Sequence, residues 1–414
     1  MRLPLPRLWP RTSKARRASR DPHWDNIRYF SGVLVVFGHT MDSIADRDGL
    51  RWLYIAGWAM RVPVFVMVAG YFSSAGALTP REGRRLIESI LLPYLAIGLL
   101  HTLQRHYYDD GEWTYYTVEP AWGLWFLLSL LFWRAGLPYL AQLRYPLATS
   151  VVVALLAGYI ADVGTAFSFS RTLTFLPFFL LGWRLRQGLF RDAMRAPWSR
   201  YAALGVLAVT FTVSWFARHD IKLGWLYMKG PYGQGHLFDA PFAWTTRAAV
   251  LAAGAVIALA FIRLVPRRRL PVITYLGAGG LTIYLLHPLV LRPLLERYGV
   301  DWVGPWPEQA ALLLFAIALA SLLATPPVRW LSRPLVQPRI GWLFRPETAP
   351  RPARPAPADA PTETTRPTRA TGPAPAGTPD TSGSPGRQLA VAPPVYNGVT
   401  PSMTEDLASH RRET

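Results

Sequence analysis

The sequence predicts an all-α protein: a polytopic membrane bundle of about ten transmembrane helices with a disordered C-terminal tail. Three observations predict it. Hydrophobic residues make up 51% of the 414 residues and charged residues only 17%, with a mean hydropathy of +0.17, as in membrane proteins. Stretches such as 201–217 and 248–262 are almost free of charge over nearly the length that crosses ~30 Å of hydrocarbon. From about residue 346, Pro, Ala and Thr prevail, a composition that cannot bury enough apolar surface to fold.

Arginine placement predicts the orientation of the bundle. The predicted spans, in chain order, are 27–46, 52–73, 86–104, 121–140, 147–163, 172–189, 201–217, 244–264, 271–291 and 306–326. Arginines recur in every loop that follows an even-numbered span, whereas the loop 105–120 is acidic and the loop 218–243 is mixed in charge. The positive-inside rule therefore predicts a multi-pass protein of the cell membrane with both termini in the cytoplasm.

Three regions are predicted along the chain: a basic cytoplasmic N-terminal tail (1–24), a membrane domain (25–345) and a disordered Pro/Ala/Thr-rich cytoplasmic tail (346–414). The first twenty residues lack the apolar run of a signal peptide, so the first span is expected to target the protein and to remain. The net charge of +19 is not collected into one aromatic-interleaved patch, so no nucleic-acid partner is predicted. Without cysteine there is no thiolate nucleophile and no zinc-thiolate site.

Ionisable side chains inside the spans are the candidate functional residues, because each costs at least ~2.5 kcal/mol to place in hydrocarbon. Arg28 and His39 are eleven residues apart, which places them within ~20° of one helix face with a rise of ~16 Å. Asp25 shares that face. Arg28 is alternatively an interfacial anchor. Asp42 and Ser43 lie one turn after His39 and are candidates to fix its tautomer.

The later spans supply possible partners. His101 and His287 are predicted near the outer ends of the third and ninth spans, so with His39 three imidazoles are expected to converge in the outer half of the bundle. Arg61 is predicted near mid-membrane, either as an anion partner or in a buried ion pair with Asp25, Asp42 or a carboxylate of the tail.

Several other chemistries lack support in the sequence. No span contains an HxxxH or HxxE pair, so no metal site is predicted, and there is no GxSxG elbow, Walker loop or Rossmann fingerprint. The aromatic clusters "WGLWFLLSLLFW" and "FLPFFLLGW" are typical of interfacial belts and helix packing, and stacking of a substrate on them is the alternative.

Five motifs, covering about 25–330, resemble the acyltransferase-3 family of membrane O-acyltransferases, and within it the fucose 4-O-acetylase-like branch. They are "DNIRYFSGVLVVFGH", "RVPVFVMVAGYF", "LWFLLSLLF", "FLPFFLLGW" and "IYLLHPLV". One position departs from the family, which often has a histidine just before the second motif, where this chain has Arg61.

The resemblance implies transfer of an acyl group, usually acetyl from cytoplasmic acetyl-CoA, to a hydroxyl of a sugar or a similar cell-surface or secreted acceptor. The donor is a substrate, and no permanently bound cofactor is expected. The candidate catalytic residues are His39 and His287, the candidate donor-binding residues are Arg28, Asp25 and Arg61, and the candidate acceptor-binding residues are His101, Trp122, Trp125 and Tyr284.

Alternatives remain at this stage. His39 is a general base or is itself acylated and passes the group on. A different class is a transporter or flippase for a polar or glycan substrate, without acyl-transfer chemistry; a third is a structural or signalling protein whose tail recruits partners. The expected partners are the lipid bilayer, acyl-CoA and a hydroxyl-bearing acceptor. The loops 105–120 and 218–243 are expected to bind the acceptor.

Overall fold

The fold was obtained as a computed structural model, which describes residues 21–42, 44–45, 48–109, 119–160, 164, 166–232, 240–299, 302–304, 306–338 and 340–344. The predicted C-terminal tail and nearly all of the N-terminal tail lie outside these residues. Within them the chain is helical and contains no strand, which confirms the all-α prediction.

The helices, in chain order, are α1 (Pro22–Met41), α2 (Asp48–Tyr71), α3 (Pro80–Leu86), α4 (Leu92–Asp109), α5 (Trp125–Leu140), α6 (Pro146–Leu156), α7 (Phe169–Arg186), α8 (Arg191–Arg195), α9 (Trp198–Phe216), α10 (Leu223–Tyr227), α11 (Ala243–Leu264), α12 (Pro271–Gly277), α13 (Gly280–Tyr298), α14 (Glu308–Leu323), α15 (Pro326–Leu331) and α16 (Arg333–Val336). A π-helical segment (Ile87–Leu91) joins α3 to α4, and short 3-10 segments lie at Trp122–Leu124, Ala157–Tyr159, Ala166–Ser168, Ala240–Phe242 and Gly341–Leu343.

Each predicted span coincides with a helix or a pair of helices, but fewer of them are long and apolar enough to cross a membrane. In the described part of the chain, four qualify: Gly49–Tyr71, Pro80–Tyr108, Trp122–Leu140 and Ala243–Leu264. The helices of the fifth and tenth predicted spans are apolar but short, and α1 carries Asp25, Arg28 and His39 along its length. The count of ten transmembrane helices therefore stays a prediction.

The ninth predicted span, 271–291, differs from the structure, which divides it into α12 and α13 with a bend of 76° between them. The helix also continues beyond the predicted end, to Tyr298. Pro293 inside α13 cannot donate to the carbonyl of Leu289. Gln104 of α4 bonds that carbonyl instead, with its Nε2 2.6 Å from the oxygen, so the polar group is satisfied from a neighbouring helix.

The start of α1 is held in place by side-chain hydrogen bonds. Asp21 caps the helix by accepting from the amide of His23, and Pro22 occupies the first turn, where a missing N–H does no harm. Asn26 is fully buried; its Nδ2 donates to the carbonyls of Pro266 and Arg268, and its Oδ1 accepts from Thr274. The remainder of α1 packs against α2, α12, α13 and α14.

Helices α2 and α7 approach each other most closely at two glycines. A Cβ atom on Gly70 would collide with the carbonyl of Phe179, and one on Gly182 would collide with the carbonyl of Met67. Small residues at helix crossings permit this backbone contact within a membrane. The aromatic core around Trp133 and Phe179 lies beside this crossing. These contacts fix α2, which carries Arg61, and α7, which begins beside Trp125.

Candidate active site

His39 lies in the last turn of α1 and is bonded to the residue that ends the helix. Its Nδ1 is 2.7 Å from Oδ2 of Asp42, and Oδ1 of Asp42 accepts from the hydroxyl of Tyr54, at 2.8 Å. A carboxylate can only accept, so Nδ1 of His39 carries the proton and Nε2 of the neutral ring is left as a base. Ser43, the other predicted partner of His39, lies outside the described residues.

Arg61 lies beside this pair, although it comes from another helix. Its guanidinium packs over the ring of Tyr54 at 3.9 Å and donates to the Tyr54 carbonyl at 3.3 Å. It is buried, interacts electrostatically with Asp42, and occupies the space that a Cβ on Gly38 would need. The structure thus places the mid-span cation at the His39 end of α1.

His287 of α13 faces His39, with the two ring centroids 5.1 Å apart. Its Nδ1 lies 3.0 Å from the carbonyl of Ile283 and donates to it, which leaves Nε2 as the unprotonated nitrogen. Nε2 is buried and has no hydrogen-bond partner among the described residues. A buried acceptor without a donor is uncommon in folded proteins and is a sign of a site for a ligand or water.

His101, the third predicted imidazole, is fully buried on α4 and interacts electrostatically with His287. Neither of its ring nitrogens bonds to another part of the described chain, and Oε1 of the nearby Gln104 is also unbonded there. The three imidazoles therefore lie in one region of the bundle.

Of the other predicted acceptor-binding residues, Trp122 and Trp125 line a cavity of about 410 Å³. Trp122 also stacks on His39, at 5.6 Å between centroids and 15° between planes. Tyr284 and His101 do not line this cavity. Tyr284 packs against Phe126, and its hydroxyl donates to the carbonyl of Gly123, so it holds the turn that carries Trp122.

Arg28 and Asp25 lie at the opposite end of α1. Arg28 Nη1 is 2.9 Å from Asp25 Oδ1, and the guanidinium packs over the ring of Phe72 at 4.3 Å. Because α1 is continuous between them, Arg28 and His39 are separated along the helix by ~16 Å. Arg61 is therefore not brought together with Arg28 and Asp25, so the three predicted donor-binding residues form two separate groups.

Three further polar residues at the His39 end of α1 are not identified from the sequence: Tyr54, Arg171 and Lys229. Arg171 and Lys229 line the same cavity as Trp122, and Arg171 interacts electrostatically with Asp42 and Tyr54. Asp42, in contrast, is predicted as a partner of His39, because a spacing of three residues puts both on one helix face. The structure brings these two side chains together. Arg171 precedes the sixth predicted span by one residue and was not counted as an intramembrane charge.

Among the described residues, no group of three or more His, Asp or Glu side chains is arranged to hold a metal ion. The polar groups around His39 are imidazoles, a carboxylate, hydroxyls and guanidinium groups, which suit acid–base and electrostatic chemistry.

Comparison with known proteins gives the family. The family model described as "Acyltransferase domain", of the acyltransferase-3 type, matches residues 21–325, more than half of the chain. No curated protein and no solved structure matches the chain. The match begins at the cap of α1 and includes the elements that carry His39, Arg61, Arg171 and His287. The chain belongs to the acyltransferase-3 family and is a membrane acyltransferase.

Proposed function

We propose that the protein transfers an acetyl group from cytoplasmic acetyl-CoA to a hydroxyl of a sugar or a similar cell-surface or secreted acceptor. The proposal places it in the cell membrane with both termini in the cytoplasm. The observation that carries it is the 2.7 Å contact between His39 Nδ1 and Asp42 Oδ2. That contact leaves His39 Nε2 free to accept a proton, as the histidine does in other acyl-transfer enzymes.

In the proposed reaction, the acceptor oxygen attacks the thioester carbonyl carbon while His39 Nε2 takes its proton. The C–O bond forms and a tetrahedral oxyanion develops. The C–S bond then breaks, and the coenzyme thiolate takes the proton back from His39 as it leaves. Asp42 stabilises the imidazolium between these steps, and the adjacent Arg61 cation favours the developing negative charge. His287 Nε2 is a buried acceptor that can accept a hydrogen bond from a second hydroxyl of the acceptor and thereby orient the molecule.

Donor binding is assigned to the other end of α1. Arg28 lies on the predicted cytoplasmic side, and its side chain is 27% exposed, so its guanidinium is accessible to a phosphate of the coenzyme. The ~16 Å rise from Arg28 to His39 is then spanned by the extended part of the donor.

The test is acyl transfer by purified protein in lipid nanodiscs supplied with radiolabelled acetyl-CoA and a mixture of hydroxyl acceptors. Wild-type protein is expected to release CoA and to label an acceptor. His39→Ala should lower transfer by at least ~10³-fold, since general-base catalysis contributes up to about 10⁴-fold. His219→Ala, which removes an exposed imidazole elsewhere in the chain, serves as the control and should retain full activity. Comparable activity in His39→Ala and wild type would show that His39 is not the general base.

The same preparation distinguishes a general base from an acyl carrier at His39, and an acyltransferase from a transporter. In the absence of acceptor, an acyl carrier accumulates label on His39, detectable by mass spectrometry of peptides, whereas a general base does not. A transporter without chemistry, the alternative left open by the sequence, would leave acetyl-CoA intact under every condition.

A further inference from the structure

The cavity beside the candidate active site is lined by charged residues that have no role in the proposed reaction. It has a volume of about 410 Å³ and lies among the turn before α5, the start of α7 and the segment after α10. The polar and aromatic residues that line it are Glu119, Trp122, Trp125, Ser168, Ser170, Arg171 and Lys229. Two cations, one carboxylate, two hydroxyls and two indoles thus surround one space.

The two cations are held on a common framework. Arg171 belongs to the first turn of α7, and its guanidinium lies 5.0 Å from the centre of the Trp125 ring. Lys229 follows α10, where the residues on either side of it are bonded to α7. Thr174 donates to the carbonyl of Met228 at 3.1 Å, and the amide of Gly230 donates to Ser170 Oγ at 2.6 Å. The backbone at Lys229 is therefore fixed against the same helix that carries Arg171.

Strained backbone is concentrated around this cavity. Among the described residues, five other than glycine have positive φ, and two of them, Trp122 (44°) and Ser168 (60°), line the cavity. Phe167 (49°) and Met228 (47°) immediately precede lining residues. Such conformations are unfavourable for residues with a Cβ atom and persist at sites where surrounding structure enforces them. Their clustering indicates that the shape of this cavity is built at a cost to stability.

The cavity shares a wall with the reacting groups. Trp122 lines it with one part of its surface and stacks on His39. Arg171 interacts electrostatically with Asp42, the partner of His39. The Trp122 ring thus contacts both the cavity and the imidazole, and an indole is suited to stacking on a sugar.

We infer that this cavity binds the acceptor and selects one that carries a negative charge, a carboxylate or a phosphate, in addition to its hydroxyl groups. The inference rests on the proposed function, because it names the substrate class of that same site. Arg171 presents a planar fork of donors that matches carboxylate and phosphate oxygens, and Lys229 adds a second positive charge. Glu119 neutralises at most one of the two cations, and a surplus cation in a partly desolvated space attracts an anion strongly.

The inference is tested by binding of three probes to the full-length protein in nanodiscs, measured by isothermal titration calorimetry. The probes are methyl glucuronide, glucose 6-phosphate and the neutral methyl glucoside. Wild-type protein is expected to bind at least one charged probe about 10-fold more tightly than the neutral one, as suits hydrogen bonds to a charged group. The preferred charged probe distinguishes a carboxylate from a phosphate acceptor.

Three variants locate the source of the preference. Arg171→Gln and Lys229→Gln should each reduce the ratio of affinities, and the double variant should reduce it to about 1. Lys222→Gln is the matched control, because Lys222 is an exposed cation before α10 and does not line the cavity. Equal binding of all probes by wild type, binding of none, or a preference that survives in the double variant would each overturn the inference.

Release of CoA from acetyl-CoA, measured on the same samples, separates this inference from the proposed function. A charged-probe preference without any CoA release supports an anion site while removing the acyl-transfer role of His39. CoA release without a charged-probe preference leaves the proposed function standing and removes the acidic acceptor.

Discussion

The two ends of α1 carry similar polar side chains but differ in what surrounds them. At the first end, Asp25 is paired with Arg28, and both amide atoms of Asn26 are bonded to the segment around α12. At the other end, Asp42 is paired with His39, but the facing His287 has a buried nitrogen without a partner in the described chain. Nδ1 of His23, at the first end, is likewise buried without a partner in the described chain. The unpaired nitrogen at the other end differs because it belongs to a ring that faces the candidate base His39.

We interpret this difference as one between residues that hold the helices together and residues that take part in the reaction. Fully bonded polar groups in a membrane domain hold helices in register, whereas unsatisfied ones lower stability and persist where they serve a ligand. The comparison therefore predicts that substitutions at the His39 end change the rate of reaction and that substitutions at the Asp25 end change donor affinity or stability.

The largest contrast is expected between the two carboxylates. Asp42→Asn should lower kcat by about 10² to 10⁴-fold, because an amide can donate to Nδ1 and thereby favours the wrong tautomer of His39. Asp25→Asn should leave kcat within about 3-fold of wild type and act on the KM for acetyl-CoA, since Asp25 is bonded to Arg28. Steady-state kinetics of both variants checks this. Similar losses of kcat in the two variants would contradict the prediction that only the His39 end of α1 acts on the rate.

His287→Leu should separate activity from stability. Removing a buried unpaired nitrogen is expected to leave thermal stability unchanged or raised. Transfer should fall by about 10 to 100-fold, because a second hydroxyl of the acceptor loses the hydrogen bond that orients the molecule. Thermal unfolding in detergent and transfer assays on one preparation measure both. A fall in stability that parallels the fall in activity would assign His287 to packing instead.

Arg28→Ala is expected to raise the KM for acetyl-CoA about 10-fold with little change in kcat, because a phosphate contact binds ground state and transition state alike. Arg28→Lys should recover part of the affinity, as lysine keeps the charge but not the bidentate fork. An unchanged KM in Arg28→Ala would favour the interfacial anchor that the sequence also allowed.

The smallest effect on catalysis is expected for Asn26→Ala. Its three hydrogen bonds hold α1 against the α12 segment, so their loss should lower stability by about 1 to 3 kcal/mol. The kcat of the surviving folded protein should match wild type. Thermal unfolding and a kcat corrected for active fraction test this, and a specific loss of kcat would show that the Asn26 end also tunes the reaction.

Much of the helical architecture is readable from the sequence, because apolar stretches in a bilayer must satisfy their backbone as helices. The resemblance carried by "DNIRYFSGVLVVFGH" and the later motifs also gives the family, which the match across 21–325 confirms. The bend between α12 and α13 is not predicted from the sequence, since the stretch 271–291 contains no Asp, Glu, Lys or Arg and has the length of one span. The direction of a helix depends on what packs against it.

For the site, the sequence by itself determined which helix carries the arginine and the histidine, because the 3.6-residue period fixes the spacing and face of Arg28 and His39. Only the tertiary structure decided that Arg61 lies with Asp42 instead of with Arg28, and that Arg171 and Lys229 meet in one cavity. Those groups come from segments far apart in the chain, and periodicity within a helix holds no information on which face of another helix it meets. Packing at crossings such as Gly70 with Gly182 sets that partnership.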